Sequence, residues 1–149
     1  MPKTNTDHSN LLNKAARSVL RPLGLIQKGR SRTWFDDNGW WLGVVEFQPS
    51  SWSRGSYLNV GCNWLWVEKD YLSFDEGYRV EGFTEFKNIN QFSAVAAALA
   101  DRAATEMKRY RLLFQSVQMV SDYYIGKNPN GFWPSFHAAG SPTWRMCHW

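Results

Sequence analysis

An Asn-Gly pair at positions 38 and 39, set between "RTWFDD" and "WWLGVVEF", constrains this chain more than any other feature. Both central positions of a type I′ turn need positive φ, so the pair predicts a two-residue hairpin loop. With Asn38 and Gly39 as the turn, Asp36 faces Trp41, Trp34 faces Gly43 and Arg32 faces Val45. Side chains alternate along a strand, which puts Arg30, Arg32 and Trp34 on one face with Trp41, Val45 and Phe47. Thr33, Phe35, Leu42 and Val44 share the other. The second strand is therefore apolar on both faces, as an interior strand should be.

Downstream, "YLNVGCNWLWV" alternates more cleanly than any other segment, with Leu58, Val60, Cys62, Trp64 and Trp66 on one side. That row is expected to lie against helices. The opposite row, Asn59, Gly61 and Asn63, is expected to face solvent or a shallow concave surface. Residues 68–80 read as an acidic loop and 81–87 as a short strand near a sheet edge.

Helical spacing appears on either side of these strands. Ser9 caps a first helix carrying Leu12, Ala15, Ala16, Val19 and Leu23, closed by Pro22 and Gly24. A long amphipathic helix follows the strands, with Phe92, Val95, Leu99, Ala103, Met107, Tyr110, Phe114, Val117 and Tyr124 at steps of three, four or their sum. Asn90 is its expected cap, Gly126 its stop, and a break falls near Leu112. A short helix is expected from Pro134 to Ala139. This order predicts an α+β fold: an antiparallel meander sheet of three to four strands packed against an N-terminal helix and a long C-terminal helix. Residues 1–8 read as a disordered N-terminus and 9–149 as a single α+β domain, a length that suits one core.

The formal net charge of +4 favours anionic partners only mildly, because the 17 basic residues are spread along the chain. Two groups stand out: Lys28, Arg30 and Arg32, then Lys108, Arg109 and Arg111. No stretch approaches the ~20 apolar residues a membrane span needs, and no leader pattern opens the chain, so a cytoplasmic protein without membrane contact is expected. Cys62 and Cys147 lie far apart, which is neither a disulfide framework nor metal-ligand spacing. No metal or cofactor is implied.

The run "LRPLGLIQKGRSRTWF" followed by "FQPSSWSRGSYLNVGCNW" resembles an uncharacterised bacterial family known as domain of unknown function 4304, over about the first half of the chain. Ile26 stands where that family usually has phenylalanine, and Gln27 where it often has lysine. The resemblance implies a compact α+β domain and a setting among toxin-immunity and defence proteins. It transfers no catalytic residues.

Trp41, Trp64 and Trp66 read as core, since aromatic side chains dominate interiors. Trp52 differs. It sits in the Ser-bearing loop "QPSSWSRGS" beside Arg54, where no strand face obliges burial, and exposed Trp with Arg is the composition of binding hot spots. Tyr57 and Asn59 adjoin it on the next strand. Lys28, Arg30 and Arg32, with Trp34 to stack, form an alternative anion or nucleic-acid strip, although charges on an edge strand also deter unwanted pairing. Lys108, Arg109 and Arg111 read as a solvated helix face.

Catalytic patterns are missing. His137 in "SFHAAG" has no neighbouring acid or nucleophile, Cys147 and His148 merely abut, and "GKNPNG" lacks the Gly-Lys-Ser/Thr ending of a phosphate loop. Asp36-Asp37 and Asp75-Glu76 read as turn acids. The leading expectation is a non-enzymatic module that binds a protein partner through Trp52, Arg54, Tyr57 and Asn59, with immunity or defence as its setting. The alternative is a nucleic-acid-binding module using the Arg/Trp surface, and a third reading is an enzyme with an unfamiliar site around His137. Oligomeric state is left open.

Overall fold

Five strands pair in sequence order to make one antiparallel meander. They are β1 (Ile26–Gln27), β2 (Thr33–Asp37), β3 (Trp41–Gln48), β4 (Gly55–Trp64) and β5 (Glu76–Glu85). Among the described residues the α-helices are α1 (Lys3–Leu20), α2 (Ile89–Leu113) and α3 (Val117–Lys127), and a single 3-10 turn, Arg21–Leu23, follows α1. The computed structural model describes residues 3–67 and 74–127, with side chains from residue 7.

The core lies between the sheet and the helices. From the sheet it takes Trp34, Trp41, Val45, Phe47, Leu58, Val60, Cys62 and Trp64, the alternating rows expected to face inward. From α1 it takes Leu12, Ala16 and Leu20, and from α2 and its C-terminal end Phe92, Leu99, Ala103, Met107, Tyr110 and Phe114. Gly43 permits this packing, because a Cβ there would fall 2.5 Å from Met107 Sδ. Trp41 seals the far end of the layer, its indole N–H donating to the Phe114 carbonyl at 3.1 Å.

The hairpin forms, but one residue later than the Asn-Gly pair predicts. Observed pairs are Phe35 with Val44 and Trp34 with Val45, so each β2 residue meets a partner two positions further along β3 than expected. Gly39 is the one positive-φ residue of the reversal, at φ 83°. Asn38 instead donates its backbone N–H to the Trp41 carbonyl and its side-chain amide to Asp36, while Asp37 Oδ1 accepts from the Gly39 N–H. These bonds hold Asn38 in the ladder. A two-residue slip keeps every side chain on its expected face, which is why the core survives the error.

Other expectations are corrected. α1 begins at Lys3, so Ser9 lies inside it rather than capping it, and residues 3–8 are helical. Asn88, not Asn90, caps α2 by accepting from the Gln91 N–H, and α3 runs through Gly126. β1 is an additional short strand, and β5 starts at Glu76, inside the segment expected to be loop. Asn59, Gly61 and Asn63 are buried rather than open: Arg79 bonds over Asn59, and Phe74 covers Gly61, where a Cβ would sit 2.5 Å from Phe74 Cγ. The expected helix at Pro134–Ala139 lies outside the described residues.

Candidate functional site

The loop 49–54 between β3 and β4 turns through a short Ser-bearing bend, with the Trp52 N–H donating to Ser50 Oγ. That bend holds the indole away from the sheet. Trp52 is 94% exposed, against 0% for Trp34 and 1% for Trp64, so it contributes nothing to the core. An exposed tryptophan beside an arginine has the composition of a binding hot spot.

Below Trp52 opens a cleft of about 510 Å³, lined by His8, Ser50, Ser51, Trp52, Ser53, Arg54, Glu85 and Phe86. Each wall has a separate origin. The ladder between β4 and β5 continues one step past Gly55, where the Phe86 N–H donates to the Arg54 carbonyl, and this brings Glu85 and Phe86 opposite the loop. His8 reaches in from the first turns of α1 and is 7% exposed. Its ring lies 5.9 Å from Phe86 and 6.2 Å from Phe92, while Phe86 and Phe92 meet edge to face at 5.4 Å. An aromatic floor results. The Arg54 guanidinium lies 5.5 Å from the Phe86 ring centroid, a cation–π contact that orients it.

The cleft therefore offers serine hydroxyls, a guanidinium, a carboxylate and an imidazole above an aromatic floor, with an indole at its rim. Mixed donors and acceptors around a hydrophobic anchor suit recognition of a polar chain. Among the described residues, no group of three His, Cys, Asp or Glu side chains could hold a metal ion. No helix among them is long and apolar enough to cross a membrane.

Of the residues singled out from sequence, Trp52 and Arg54 share this cleft; Tyr57 and Asn59 do not line it. They lie on the outer sheet face in a network of their own. Asn59 donates to Glu46 and Gln48 and accepts from Arg79, whose guanidinium sits 3.9 Å over the Tyr57 ring. Both ends of the Asn59 amide are thus occupied.

The basic strip is not brought together as a row. Residues 28–32 form a turn rather than a strand, leaving Lys28 and Arg30 exposed. Arg32 points inward, donating to Ser9 Oγ at 2.8 Å and to the Gly55 carbonyl at 3.0 Å, and burial lowers its pKa. Trp34, expected to stack on a base, is enclosed in the core. Arg111 is no solvated helix charge either, since it reaches the buried Asp36 in β2. His137, Cys147 and His148 lie outside the described residues.

Sequence reasoning missed His8, Glu85 and Phe86. A serine-rich loop bearing tryptophan is visible in a string of letters; the closure of β5 and α1 onto it is tertiary and leaves no local signal. Comparison with protein-family models, curated proteins and solved structures finds no match to this chain.

Proposed function

We propose that this protein is a non-enzymatic interaction module that holds a protein partner in the cleft beneath Trp52. The observation that carries the reading is the 94% exposure of Trp52 on the rim of a polar cleft with an aromatic floor. An indole in water forfeits about 1.5–3 kcal/mol of burial free energy, which a partner recovers by covering it. Arg54 supplies a second anchor of the type enriched at hot spots. The sequence resemblance adds the setting we attach to this reading, an immunity or defence role.

Affinity capture with immobilised protein and quantitative comparison of variants tests it. Trp52→Ala and Arg54→Ala should retain the fold and lower partner recovery, with affinity for the principal partner falling about 30-fold at a true hot spot. Equal recovery of every partner by Trp52→Ala overturns the reading. A salt titration separates it from nucleic-acid binding, in which affinity for an oligonucleotide falls steeply between 50 and 200 mM salt as counterions are released, to roughly the extent of 10³-fold when several phosphates are engaged.

A further inference from the structure

β5 ends the sheet, and among the described residues no strand pairs with its outer edge. At ten residues it is long for an edge, and it contains neither proline nor lysine, two common devices that blunt such edges. Register shifts between Ser56 and Leu58 and between Leu58 and Asn59 give β5 an extra residue on each side of Glu81. Its C-terminal segment, Glu81–Glu85, leads directly into the cleft, of which Glu85 is a wall.

Backbone alternation fixes which groups of this segment are open. The Phe86 N–H points at β4, where it bonds the Arg54 carbonyl. Along a strand, successive amides point to opposite sides, so the Glu85 N–H, next to it and opposite Gly55, points outward. The Glu85 carbonyl is taken by Gln91 Nε2 at 3.0 Å, while its N–H points away from β4. At Gly82 an added Cβ would meet no atom within 4 Å, so the strand offers a notch there.

Charge selects the occupant. Of the four charged side chains on β5, Glu76 is held by Lys127 and Arg79 by Asn59 and Gln48. Glu81 and Glu85 are exposed and pair with no cation among the described residues. An edge with two uncompensated carboxylates favours a strand bearing lysine or arginine.

We infer that the partner is recognised as an extended basic peptide segment that adds a sixth strand along Glu81–Glu85 and continues into the cleft beneath Trp52. This rests on the partner-binding reading above and names the form and charge of what is bound. Main-chain bonding at Glu85 supplies alignment, Glu81 and Glu85 select basic side chains, and Trp52 covers an apolar one.

Selection of a displayed library of random twelve-residue peptides on the full-length protein tests the inference. Enriched peptides should carry lysine or arginine at alternate positions, and synthetic copies should slow amide exchange at Glu85. Glu85→Pro removes one outward N–H without breaking a β4 bond and should weaken these peptides about fivefold. Glu81→Lys should weaken them and shift enrichment towards acidic sequences. Circular dichroism and thermal melting establish that both variants fold. Peptides that lose binding in Trp52→Ala yet ignore Glu85→Pro and Glu81→Lys sink this inference and leave the partner-binding reading standing. Peptides indifferent to all three variants sink both, and a library from which nothing is enriched sinks the strand-addition inference.

Discussion

Arg111 at the end of α2 grips Asp36 in β2 with two nitrogens, Nε to Oδ2 at 2.8 Å and Nη2 to Oδ1 at 2.7 Å. The carboxylate side chain is 4% exposed and the guanidinium 31%. This asymmetry decides what each substitution does. Arg111→Met strands a buried charge and should cost about 3–5 kcal/mol of stability. Asp36→Asn should cost less, because the partly exposed guanidinium reaches water and keeps its bond to the Leu23 carbonyl. Urea unfolding of the two variants checks the order, and an equal or larger loss for Asp36→Asn would show that the pair is not held as described.

Trp34 and Trp52 are the same residue type with opposite consequences. Trp34→Ala empties the centre of the core and should cost about 3–5 kcal/mol. Trp52→Ala removes a ring that touches solvent over nearly all its surface, so stability should change by less than about 0.5 kcal/mol. Thermal melts of the two variants suffice. A marked loss in Trp52→Ala would mean that the ring serves the fold, and the binding role proposed for it would lose its basis.

The contrast between these tryptophans was legible in the sequence because strand alternation is a local property. Trp34 falls in phase with Val45 and Phe47 whichever of two registers the hairpin takes, whereas Trp52 lies among serines with no phase to obey. What stayed hidden depends on distant segments. Asp36 resembles a turn acid until α2 delivers Arg111 to it, and that bond, with the Asn38 amide on the same carboxylate, accompanies the move of the reversal from Asn38-Gly39 to Gly39-Trp40. His8 resembles part of a loose terminus until α1 is seen to extend through it and pack on Phe86. The polar row on β4 resembles a solvent face until Phe74 and Arg79 cover it.

Two glycines test how closely the elements approach. A methyl at Gly43 would meet Met107 Sδ at 2.5 Å, the flexible end of a side chain, and Asp36 Cβ on β2 at 2.9 Å. A methyl at Gly61 would meet Phe74 Cγ at 2.5 Å and the Glu76 backbone carbonyl at 2.6 Å. Thioethers shift readily, whereas a ladder carbonyl cannot move without β5. Gly43→Ala should therefore cost about 1–3 kcal/mol with the sheet intact. Gly61→Ala should cost more and accelerate amide exchange along the first half of β5. Similar costs for both, with β5 unperturbed, would contradict the close pairing of Gly61 with Gly77.

Alkaline pH should weaken the fold through three groups it buries. Burial pushes the Cys62 thiol well above its ordinary 9.0, with Glu76 nearby adding to the effect. Burial likewise raises the Tyr110 and Tyr124 phenols well above 10.0, the Cys62 and Glu76 charges contributing respectively. In each case the folded state keeps a proton that the unfolded chain would release. Their contribution is thus complete below pH 9 and declines as pH rises past each unfolded value, at about 1.4 kcal/mol per pH unit per group. Urea midpoints from pH 7 to 11 should be level to about pH 9, fall beyond it, and fall more steeply past 10. Cys62→Ala should flatten the first part of that decline while lowering stability at every pH through the space it leaves. A decline between pH 9 and 10 that is unchanged in Cys62→Ala would place the responsible proton on another group.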